Sequence, residues 1–507
     1  MIATSEEMRK MDQRAVEEYQ IPMHQLMKQA ADAFFEALIE HYGRQACYGI
    51  FCGSGNNGGD GYALALRMKK EGVSFYLCAL QPPHTESARY YAEMLTEISD
   101  ECMFDEKRYV HVLDRADILI DAIFGTGLNR PPQGIDAQVI QALNHSRKPI
   151  VSMDVPSGIS ERVFDPERSI HAQLTITFEC VKKSLLPYSR RSCCGKIKAI
   201  SIGMPKPLRQ CEDQTIILDP RQAGAYLPLR KAQSHKGTYG RVLVIGGSKS
   251  MSGALVMCTS ALLRSGAGLV TCMLPSCIHP IVAAQLQEAM FQVMKDDGSQ
   301  FDIRFFCSIE DLRKYDLIIV GNGMGRGAAT KKIVEDVLAS KVPCILDGDA
   351  IYEAGTKDLL SLHRTADVLL TPHLKELSYL LGKPLDELRE EPWTAAQSWL
   401  KEHPFVTIVA KDDITWILQQ DQQALNIIGN HGLAKGGSGD VLCGMIAGLY
   451  AQSKDAFASA CAAVFAHAFT ADQLADTMDP MSMLPSDLIA QLPTTYKQLR
   501  KEAQRKV

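Results

Sequence analysis

A glycine-rich run near the start of the chain has the composition of an anion-binding loop. Residues Gly53 to Gly61 have the sequence GSGNNGGDG and lie between an apolar run and a helical pattern from Tyr62 to Glu71. The backbone amides of such a strand-to-helix turn can converge on a phosphate. Five glycines in these nine residues predict either positive φ angles or close approach of the backbone to a ligand. The alternative is a tight structural turn.

Two aspartates follow at the ends of later apolar runs. Asp121 precedes the loop Gly125-Thr126-Gly127-Leu128, and Asp154 begins the run DVPSG after an apolar segment at 150–153. Carboxylates at the carboxyl ends of neighbouring parallel strands point into the crevice where such sheets bind ligands. The glycine spacing is neither the GxGxxG dinucleotide fingerprint nor a lysine-bearing Walker loop. For each aspartate alone, a helix cap is the alternative interpretation.

Taken together, these three motifs resemble the NAD(P)H-hydrate epimerase family, also known as the YjeF N-terminal domain, over residues 1–215. The resemblance implies a Rossmann-like α/β domain that binds the hydrated cofactors NADHX and NADPHX. It also implies a potassium ion on Asn57, Asp121 and Ser157, whose oxygen atoms suit a hard cation. The residues that it implies for substrate binding are Asn56, Asn57, Gly58, Gly59, Asp60, Gly125, Thr126, Gly127, Leu128, Asn129, Arg130, Pro131 and Asp154.

The chemistry of such a substrate requires an acid–base group. The hydrate carries a hydroxyl on the ring carbon next to nitrogen. Loss of that oxygen, or opening of the ring, gives a planar intermediate that can be recaptured from either face. We predict that Asp154 is the catalytic acid–base group, because a carboxylate in a closed site can exchange protons near neutral pH.

The second half of the chain has further turns that could bind anions after apolar runs. The segment His235 to Gly240 leads into one such run, which is followed by Gly246-Gly247-Ser248 and by Ser252-Gly253-Ala254. The segments Gly321 to Gly325 and Thr371-Pro372-His373 follow two more. Each of these signals is weak alone, and for His373 a helix cap is the alternative.

The strongest motif of this half is Gly432 to Asp440, GLAKGGSGD, which leads into an apolar helix predicted at Val441 to Tyr450. The backbone amides of such a turn can bind phosphoryl oxygens, and Asp440 then stands beside the reacting hydroxyl. This arrangement resembles the GxGD anion hole of ribokinase-like enzymes. With the upstream motifs, it resembles the ADP-dependent (S)-NAD(P)H-hydrate dehydratase family, the YjeF C-terminal domain, over residues 222–500.

That second resemblance implies a ribokinase-like α/β domain that uses Mg²⁺ and ADP. ADP would phosphorylate the ring hydroxyl, and loss of phosphate would restore the double bond. Asp440 would be the catalytic base. The residues implied for binding the hydrated cofactor are Ala254, Gly323, His373 and Asp440. Those implied for binding the adenine nucleotide are Lys411, Asp412, Asp413, Ile414, Thr415 and Gly439.

Several positions depart from the dehydratase family pattern. Lys411 is followed by two aspartates where a glycine is usual, which adds negative charge near an anionic ligand. Lys435 can offset these carboxylates. Because the phosphate-facing glycines and Asp440 remain, we expect the core chemistry to survive. The other departures are Leu374, Lys375, Leu433 and Ser438.

These motifs need parallel strands to position them, and the hydropathy pattern predicts two series of βαβ units after two helices that break at Pro22. The strands of the first series are Cys47 to Cys52, Phe75 to Leu80, Ile118 to Ile123, Ile150 to Met153 and Leu174 to Phe178. Those of the second are Val242 to Ile245, Leu269 to Leu274, Leu317 to Val320, Cys344 to Asp347, Val368 to Leu370 and Thr407 to Ala410. A polar stretch from Pro205 to Ala225 places the domain boundary near residue 215.

Composition limits the partners of this 507-residue chain. A net charge of -5 and a pI near 6.2 give no long-range attraction for nucleic acid or anionic membranes. The polar N-terminus and the lack of a long apolar stretch predict a cytoplasmic protein without membrane association. The 15 scattered cysteines predict reduced thiols. We also expect a homo-oligomer.

One alternative of a different class stays open. The second domain could be a ribokinase-like kinase for a small alcohol, fused to a non-catalytic dinucleotide-binding module. A kinase would release a stable phosphorylated product, whereas a dehydratase would release free phosphate and regenerate the absorbance of the reduced nicotinamide ring.

Overall fold

The structure is a computed structural model that describes residues 1–98, 108–302, 308–355, 360 and 366–505. The chain divides into two compact units, Met1–Gln214 and Thr215–Val507. The boundary predicted near residue 215 falls at this division. Each unit has a mostly parallel sheet with helices packed on it, so the predicted α/β class is confirmed.

The first unit contains a six-stranded parallel sheet in the order β3-β2-β4-β5-β6-β8. Its strands are β2 (Tyr48–Cys52), β3 (Phe75–Ala79), β4 (Ile118–Ala122), β5 (Ile150–Met153), β6 (Leu174–Phe178) and β8 (Lys196–Ile200). The first five confirm the predicted strands. A separate parallel pair joins β1 (Ile2–Ala3) to β7 (Val181–Lys182).

Helices cover both faces of this sheet, with one apolar core on each face. They are α1 (Ser5–Tyr19), α2 (Met23–Tyr42), α3 (Asn56–Glu71), α4 (Glu86–Ile98), α5 (Arg108–Arg115), α6 (Ile135–His145) and α7 (Tyr188–Cys194). The predicted break at Pro22 is confirmed, because α2 begins directly after it. The predicted start of α3 at Tyr62 is wrong: the helix begins at Asn56, inside the glycine-rich run.

The second unit contains a ten-stranded sheet in the order β12-β11-β10-β13-β14-β15-β16-β17-β18-β9. The run from β12 to β16 is parallel, and β17 forms antiparallel pairs with both of its neighbours. The strands are β9 (Ile216–Ile217), β10 (Arg241–Ile245), β11 (Leu269–Pro275), β12 (Met290–Met294), β13 (Leu317–Val320), β14 (Cys344–Leu346), β15 (Val368–Leu370), β16 (Val406–Ala410), β17 (Thr415–Gln419) and β18 (Gln422–Asn426).

A large apolar core packs α8, α9, α17, α18 and α19 against this sheet. The helices of the unit are α8 (Pro220–Ala225), α9 (Ser252–Arg264), α10 (His279–Ala283), α11 (Ile309–Leu312), α12 (Ala328–Ser340), α13 (Asp349–Gly355), α14 (Leu374–Leu381), α15 (Leu385–Glu390), α16 (Pro392–Leu400), α17 (Ser438–Ser453), α18 (Ala456–Ala475) and α19 (Pro485–Gln504).

Two further observations concern membrane-spanning helices and the cysteines. Of the helices in the described residues, none combines the length and apolar character needed to cross a membrane. The 13 cysteines in the described residues are all free thiols, which agrees with the prediction of a reduced protein. Cys102 and Cys307 lie outside the described residues.

Candidate active sites

The first unit has a cavity of about 630 Å³ at the carboxyl ends of β2, β4 and β5. Ligand pockets commonly run from roughly 300 to 1,000 Å³, so this cavity suits a small molecule. Most of the residues predicted to bind the substrate form its wall. Those that line it are Asn56, Asn57, Asp60, Gly125, Thr126, Gly127, Leu128, Asn129, Arg130, Pro131 and Asp154.

The glycine-rich run beside this cavity lacks the positive φ angles that were one of the two predicted reasons for its glycines. All residues from 53 to 61 are described, and none of their five glycines has positive φ. A Cβ on Gly58 would lie 1.9 Å from the Gly53 carbonyl oxygen, and one on Gly53 would lie 2.0 Å from that of Ile123. At Gly53 and Gly58 the close approach is therefore between parts of the chain, where α3 begins against the strand ends, whereas Gly55 lines the cavity. Gly58 and Gly59 are buried and do not line the cavity.

Asp154 has an unusual backbone conformation and a crowded carboxylate. Its φ is 69°, which is uncommon for a residue with a side chain. Its Oδ1 accepts hydrogen bonds from the Phe178 amide at 3.1 Å and from Thr177 Oγ1 at 3.2 Å. The same oxygen pairs with the Lys182 ammonium, and the Lys182 side chain is only 1% exposed. Backbone strain that is held this firmly is typical of functional sites.

Three further carboxyl groups line the same cavity: Asp136 from α6, and Asp12 from α1 and Asp60 from α3, which both interact with Asp154. Burial, together with the charge of Asp154, raises the pKa of Asp12 to about 6. Burial and the charges of Asp154 and Asp12 raise the pKa of Asp60 well above its usual value. Sequence reasoning missed Asp12 and Lys182. The signal for Asp12 was its position one turn after Met8 on the buried side of α1, whereas nothing in the sequence marks Lys182 as buried.

The three residues predicted to bind potassium lie together at the end of β4. Oδ2 of the fully buried Asp121 accepts hydrogen bonds from Ser152 Oγ and from the Ser157 amide, both at 2.8 Å. Ser157 Oγ donates to Asp121 Oδ1 and accepts from the Phe124 amide at 2.8 Å. Asn57 Nδ2 donates to the Phe124 carbonyl at 3.0 Å. Burial raises the pKa of Asp121, and the serine hydrogen bonds oppose that rise.

In the second unit, Asp347 is the centre of a hydrogen-bond network at the ends of β13, β14, β15 and β16. Its Oδ1 accepts from Thr371 Oγ1 at 2.5 Å and pairs with Lys411 Nζ at 3.2 Å. Its Oδ2 accepts from Asn322 Nδ2 at 2.9 Å. The same amide group donates to Asp440 Oδ1 at 2.7 Å. Polar side chains from four strand ends are thereby joined to the start of α17.

Asp440 lies in the first turn of α17, which begins at Ser438 rather than at the predicted Val441. Burial and the charge of Asp347 raise the pKa of Asp440 to about 6, while the Asn322 hydrogen bond and the Lys411 charge oppose that rise. A Cβ on the adjacent Gly439 would lie 3.3 Å from Lys411 Nζ.

The ammonium of Lys411 is therefore beside the glycine-rich turn and the N-terminus of α17. Amides and a positive charge in one place suit a phosphate.

Ala254 and Gly323, both predicted to contact the hydrated cofactor, are neighbours. Ala254 lies in the first turn of α9, and Gly323 follows β13. Gly323 has a φ of 68°, and a Cβ there would lie 2.4 Å from the Met251 carbonyl oxygen and 3.0 Å from Ala254 Cβ. Both the backbone conformation and the space at this position therefore require glycine.

His373 is the N-cap of α14. Its Nδ1 accepts hydrogen bonds from the Lys375 amide at 3.1 Å and from the Glu376 amide at 3.2 Å. The helix-cap interpretation is thus confirmed. The side chain is 54% exposed, so a contact with the hydrated cofactor stays a prediction.

The segment predicted to bind the nucleotide, 411–415, connects β16 to β17. Its two aspartates are exposed, Ile414 is buried, and Thr415 is already the first residue of β17. Because the Ile414 side chain is in the core, it can offer a ligand only its backbone. Lys435, which was expected to offset the two carboxylates, donates a hydrogen bond to the Met481 carbonyl at 3.0 Å.

Two family models match the chain, one in each unit. The model described as YjeF-related protein N-terminus matches residues 23–184. The model described as NAD(P)H-hydrate dehydratase matches residues 242–494.

Solved structures similar to the chain support the fold of the second unit. The ADP/ATP-dependent NAD(P)H-hydrate dehydratase from Bacillus subtilis, co-crystallised with ATP and Mg²⁺, is 29% identical, with a TM-score of 0.50 over 56% of this chain and 99% of that one. A ribokinase-like superfamily protein from Enterococcus faecalis is also 29% identical, with a TM-score of 0.50 over 59% of this chain and 100% of that one. The second unit is ribokinase-like and the first is Rossmann-like, as predicted.

Curated proteins similar to the chain extend through both units. The bifunctional NAD(P)H-hydrate repair enzyme from Moorella thermoacetica is 31% identical over 99% of this chain and 98% of that protein. The enzyme of the same name from Escherichia coli is 29% identical over 96% of this chain and 92% of that protein. With two matching family models and relatives that extend over nearly its whole length, the chain belongs to the family of bifunctional NAD(P)H-hydrate repair enzymes.

Proposed function

We propose that the two units repair hydrated NADH and NADPH in sequence. The first unit interconverts the R and S epimers of the hydrate. The second unit dehydrates the S form at the expense of ADP and gives NAD(P)H, AMP and phosphate. The observation that carries this proposal is that one chain places carboxylates at the strand ends of each unit and resembles repair enzymes along 99% of its length.

In the first unit, the cavity wall from Asn56 to Asp60 and from Gly125 to Pro131 would hold the hydrate, and Asp154 would exchange protons with it. Three donors already occupy Oδ1 of Asp154. Within the described residues no donor contacts Oδ2, which leaves this oxygen for the substrate. Proton exchange at the ring would then proceed through loss of the hydroxyl or through ring opening.

Potassium would bind to Asn57, Asp121 and Ser157. Asp121 is completely buried, and no cationic side chain pairs with it in the part of the chain that the structure describes. A buried carboxylate without a counter-ion costs free energy, which a bound cation would offset. Amide, hydroxyl and carboxylate oxygens are hard donors that suit such an ion. These three residues therefore fit the ion that the family resemblance implies.

In the second unit, Asp440 would remove the proton from the ring hydroxyl as the oxygen attacks the phosphoryl group of ADP. A pKa of about 6 leaves Asp440 mostly ionised at neutral pH, as a general base must be. The amides of the glycine-rich turn and the ammonium of Lys411 would hold the phosphoryl oxygens. Phosphate is a much better leaving group than hydroxide, so its departure restores the double bond.

Magnesium would bind at this site with the nucleotide. Carboxylate oxygens are donors that it prefers, and Asp347 supplies them at the strand ends, while Asp440 acts as the base. When bound, it neutralises the charge of the transferred phosphoryl group.

Fusion of the two activities has a chemical reason. The dehydratase would accept one epimer only, and the first unit would supply that epimer from the other. The cytoplasmic location and the homo-oligomeric state stay predictions from the sequence.

The test is to incubate the purified chain with a mixture of both hydrate epimers, ADP and Mg²⁺. The proposal predicts complete recovery of the absorbance of the reduced nicotinamide ring, with one phosphate released per molecule. Recovery that stalls near the share of one epimer would remove the epimerase activity. A stable phosphorylated product would instead indicate a kinase.

A further inference from the structure

Helix α1 brings an unpartnered carboxyl group to the cavity of the first unit. Asp12 follows Met8 by one helical turn and lies on the side of α1 that buries Met8, Met11 and Ala15. It lines the cavity together with Asp60, Asp154 and Lys182. Among the described residues, no hydrogen bond or ion pair engages its carboxyl group. Burying a polar group without a partner costs free energy, so its place at the cavity wall points to a ligand.

The N-terminal segment is held in place by contacts before α1 and at its start. Strand β1 pairs with β7 in the register Ile2↔Val181 and Ala3↔Lys182, so the segment that leads to Asp12 is paired with the strand that carries the partner of Asp154. The side chain of Thr4 caps α1, and the amide of Ser5 donates to Glu161 Oε1 at 2.7 Å. Asp12 is thus presented by a fixed element. This element lies before residue 23, where the match of the first family model begins.

We propose that Asp12 is a second acid–base residue of the epimerisation and works with Asp154 on the two faces of the substrate ring. This inference rests on the epimerase function proposed for the cavity. Inverting one carbon by loss and return of its oxygen needs an acid on the face that the hydroxyl leaves and a base on the face where water adds. Asp154 alone supplies only one of these groups.

The proposed step balances in atoms and electrons. Protonated Asp12 gives its proton to the ring hydroxyl, the C–O bond breaks with its electron pair leaving on water, and the nitrogen lone pair forms a C=N bond. Water then adds to the opposite face, the C=N electron pair returns to nitrogen, and the Asp154 carboxylate accepts the released proton. Nothing is oxidised or reduced. One proton has moved from Asp12 to Asp154, which prepares the pair for the opposite epimer.

The charged groups around Asp12 fit such a proton exchange. Asp154 after β5 disfavours its ionised form, and Lys182 on β7 favours it. The charge of Asp12 in turn disfavours ionisation of Asp60 on α3. Arg9 precedes it on the same helix and lines the cavity. Packed against α1 are also the turn at 206–208, whose Lys206 is exposed, and α2. The residues that α2 adds to the cavity wall carry no charge: Met23, Leu26, Met27 and Ala30.

The experiment compares the wild-type chain with Asp12→Asn, Asp12→Glu and a control, Asp32→Asn. Asp32 is on α2, pairs with Lys28 at the surface and does not line the cavity. We expect Asp12→Asn to lower kcat/KM for epimerisation by at least about a hundredfold. Asp12→Glu should restore part of the loss, and Asp32→Asn should retain the full rate. Dehydration of purified S hydrate by the same chains should not change.

Two further measurements separate a proton-transfer role from a merely structural one. The wild-type kcat/KM for epimerisation should fall as the pH rises through about 6, because the carboxyl of Asp12 then loses the proton that it must give; the residual activity of Asp12→Asn should lack this fall. In water labelled with heavy oxygen, the wild type should place the label in the ring hydroxyl at the rate of epimerisation. Asp12→Asn should slow both processes equally.

Three results would overturn the proposal. The first is an Asp12→Asn chain that epimerises at the wild-type rate. The second is a wild-type pH profile without a fall near 6. Because this profile is measured on the wild type, it is decisive even if the variant does not fold. The third is epimerisation without label uptake. A wild-type chain that does not epimerise the hydrates at all would instead refute the proposed function of the cavity.

Discussion

Substituting Asn322 by leucine tests how the second site controls the charge of Asp440. The Asn322 amide donates to Asp440 Oδ1 at 2.7 Å, and this bond opposes the burial and the Asp347 charge that raise the pKa of Asp440 to about 6. Leucine is similar in size but has no donor. Because the lost bond stabilises the ionised carboxylate more than the protonated acid, we expect the pKa of Asp440 to rise in the variant.

The size of the rise follows from the hydrogen bond. A bond to a charged group contributes roughly 1.5–3 kcal/mol, and about 1.4 kcal/mol corresponds to one pH unit. A base works only when ionised, so the wild-type dehydratase rate should fall as the pH drops through about 6. In Asn322→Leu the same fall should occur one to two pH units higher, at about pH 7 to 8.

The assay follows the initial rate at which purified S hydrate regains reduced-nicotinamide absorbance, with saturating ADP and Mg²⁺, on both sides of these midpoints. The control is Tyr450→Phe, which removes a 2.7 Å hydrogen bond to a different carboxylate of the same unit, Asp367. The control should keep the wild-type profile. An Asn322→Leu profile that is lowered uniformly, with its midpoint unmoved, would refute the assignment of Asp440 as the base that this amide controls.

Two stability predictions concern the first unit, both measured by urea unfolding of the full chain. Gly58→Ala should lower the free energy of unfolding by about 1–3 kcal/mol, because its Cβ would lie 1.9 Å from the Gly53 carbonyl oxygen. Gly127→Ala, whose Cβ meets no atom within 4 Å, should not, and equal losses would contradict this reasoning. Lys182→Met should cost roughly 3–5 kcal/mol, because it leaves Asp154 buried without its cation. Adding Asp154→Asn should recover part of that loss, and no recovery would show that the pair is not its cause.

Strands in the middle of the two sheets were predictable because both of their faces are buried. β2, β4 and β10 are near-continuous apolar runs, which is the pattern of a parallel strand covered on both sides. The missed strands β8 and β12 lie at sheet edges, where burial is only partial, and polar residues interrupt both: two lysines in β8 and a glutamine in β12. The hairpin of β17 and β18 was missed because the segment before it was interpreted only as a nucleotide loop.

The first site could be predicted in part because a simple rule applies to the sequence: carboxylates at the carboxyl ends of parallel strands point into the ligand-binding crevice. That rule selected Asp121 and Asp154, and most of the loop after β4 does line the cavity. It did not select Lys182, whose burial depends on the packing of β7, or Asp12, which a helix brings from far away in the sequence. The start of α3 was missed because glycines usually indicate a loop, whereas here they permit close helix–strand packing.

The second site, too, could be predicted only in part from the sequence. Asp440, Lys411 and Gly439 follow from the glycine-rich motif and from the family resemblance, and the structure places Lys411 beside Gly439. Asp347 ends a predicted strand, so the rule that selected Asp121 could have found it. The sequence does not reveal that Asn322 donates to Asp347 and Asp440 together, because that contact depends on the order of strands in the sheet.

The most direct test of two sites that act in succession is to mix two variants that each lack one of the two activities. Given both hydrate epimers, ADP and Mg²⁺, Asp440→Asn should recover no reduced cofactor, and Asp154→Asn should stall near the share of the S epimer except for slow spontaneous conversion. Mixed together, the two variants should recover all of it, because each supplies the site that the other lacks. A mixture that recovers no more than Asp154→Asn alone, or an Asp154→Asn chain that completes the reaction at the wild-type rate, would contradict this account.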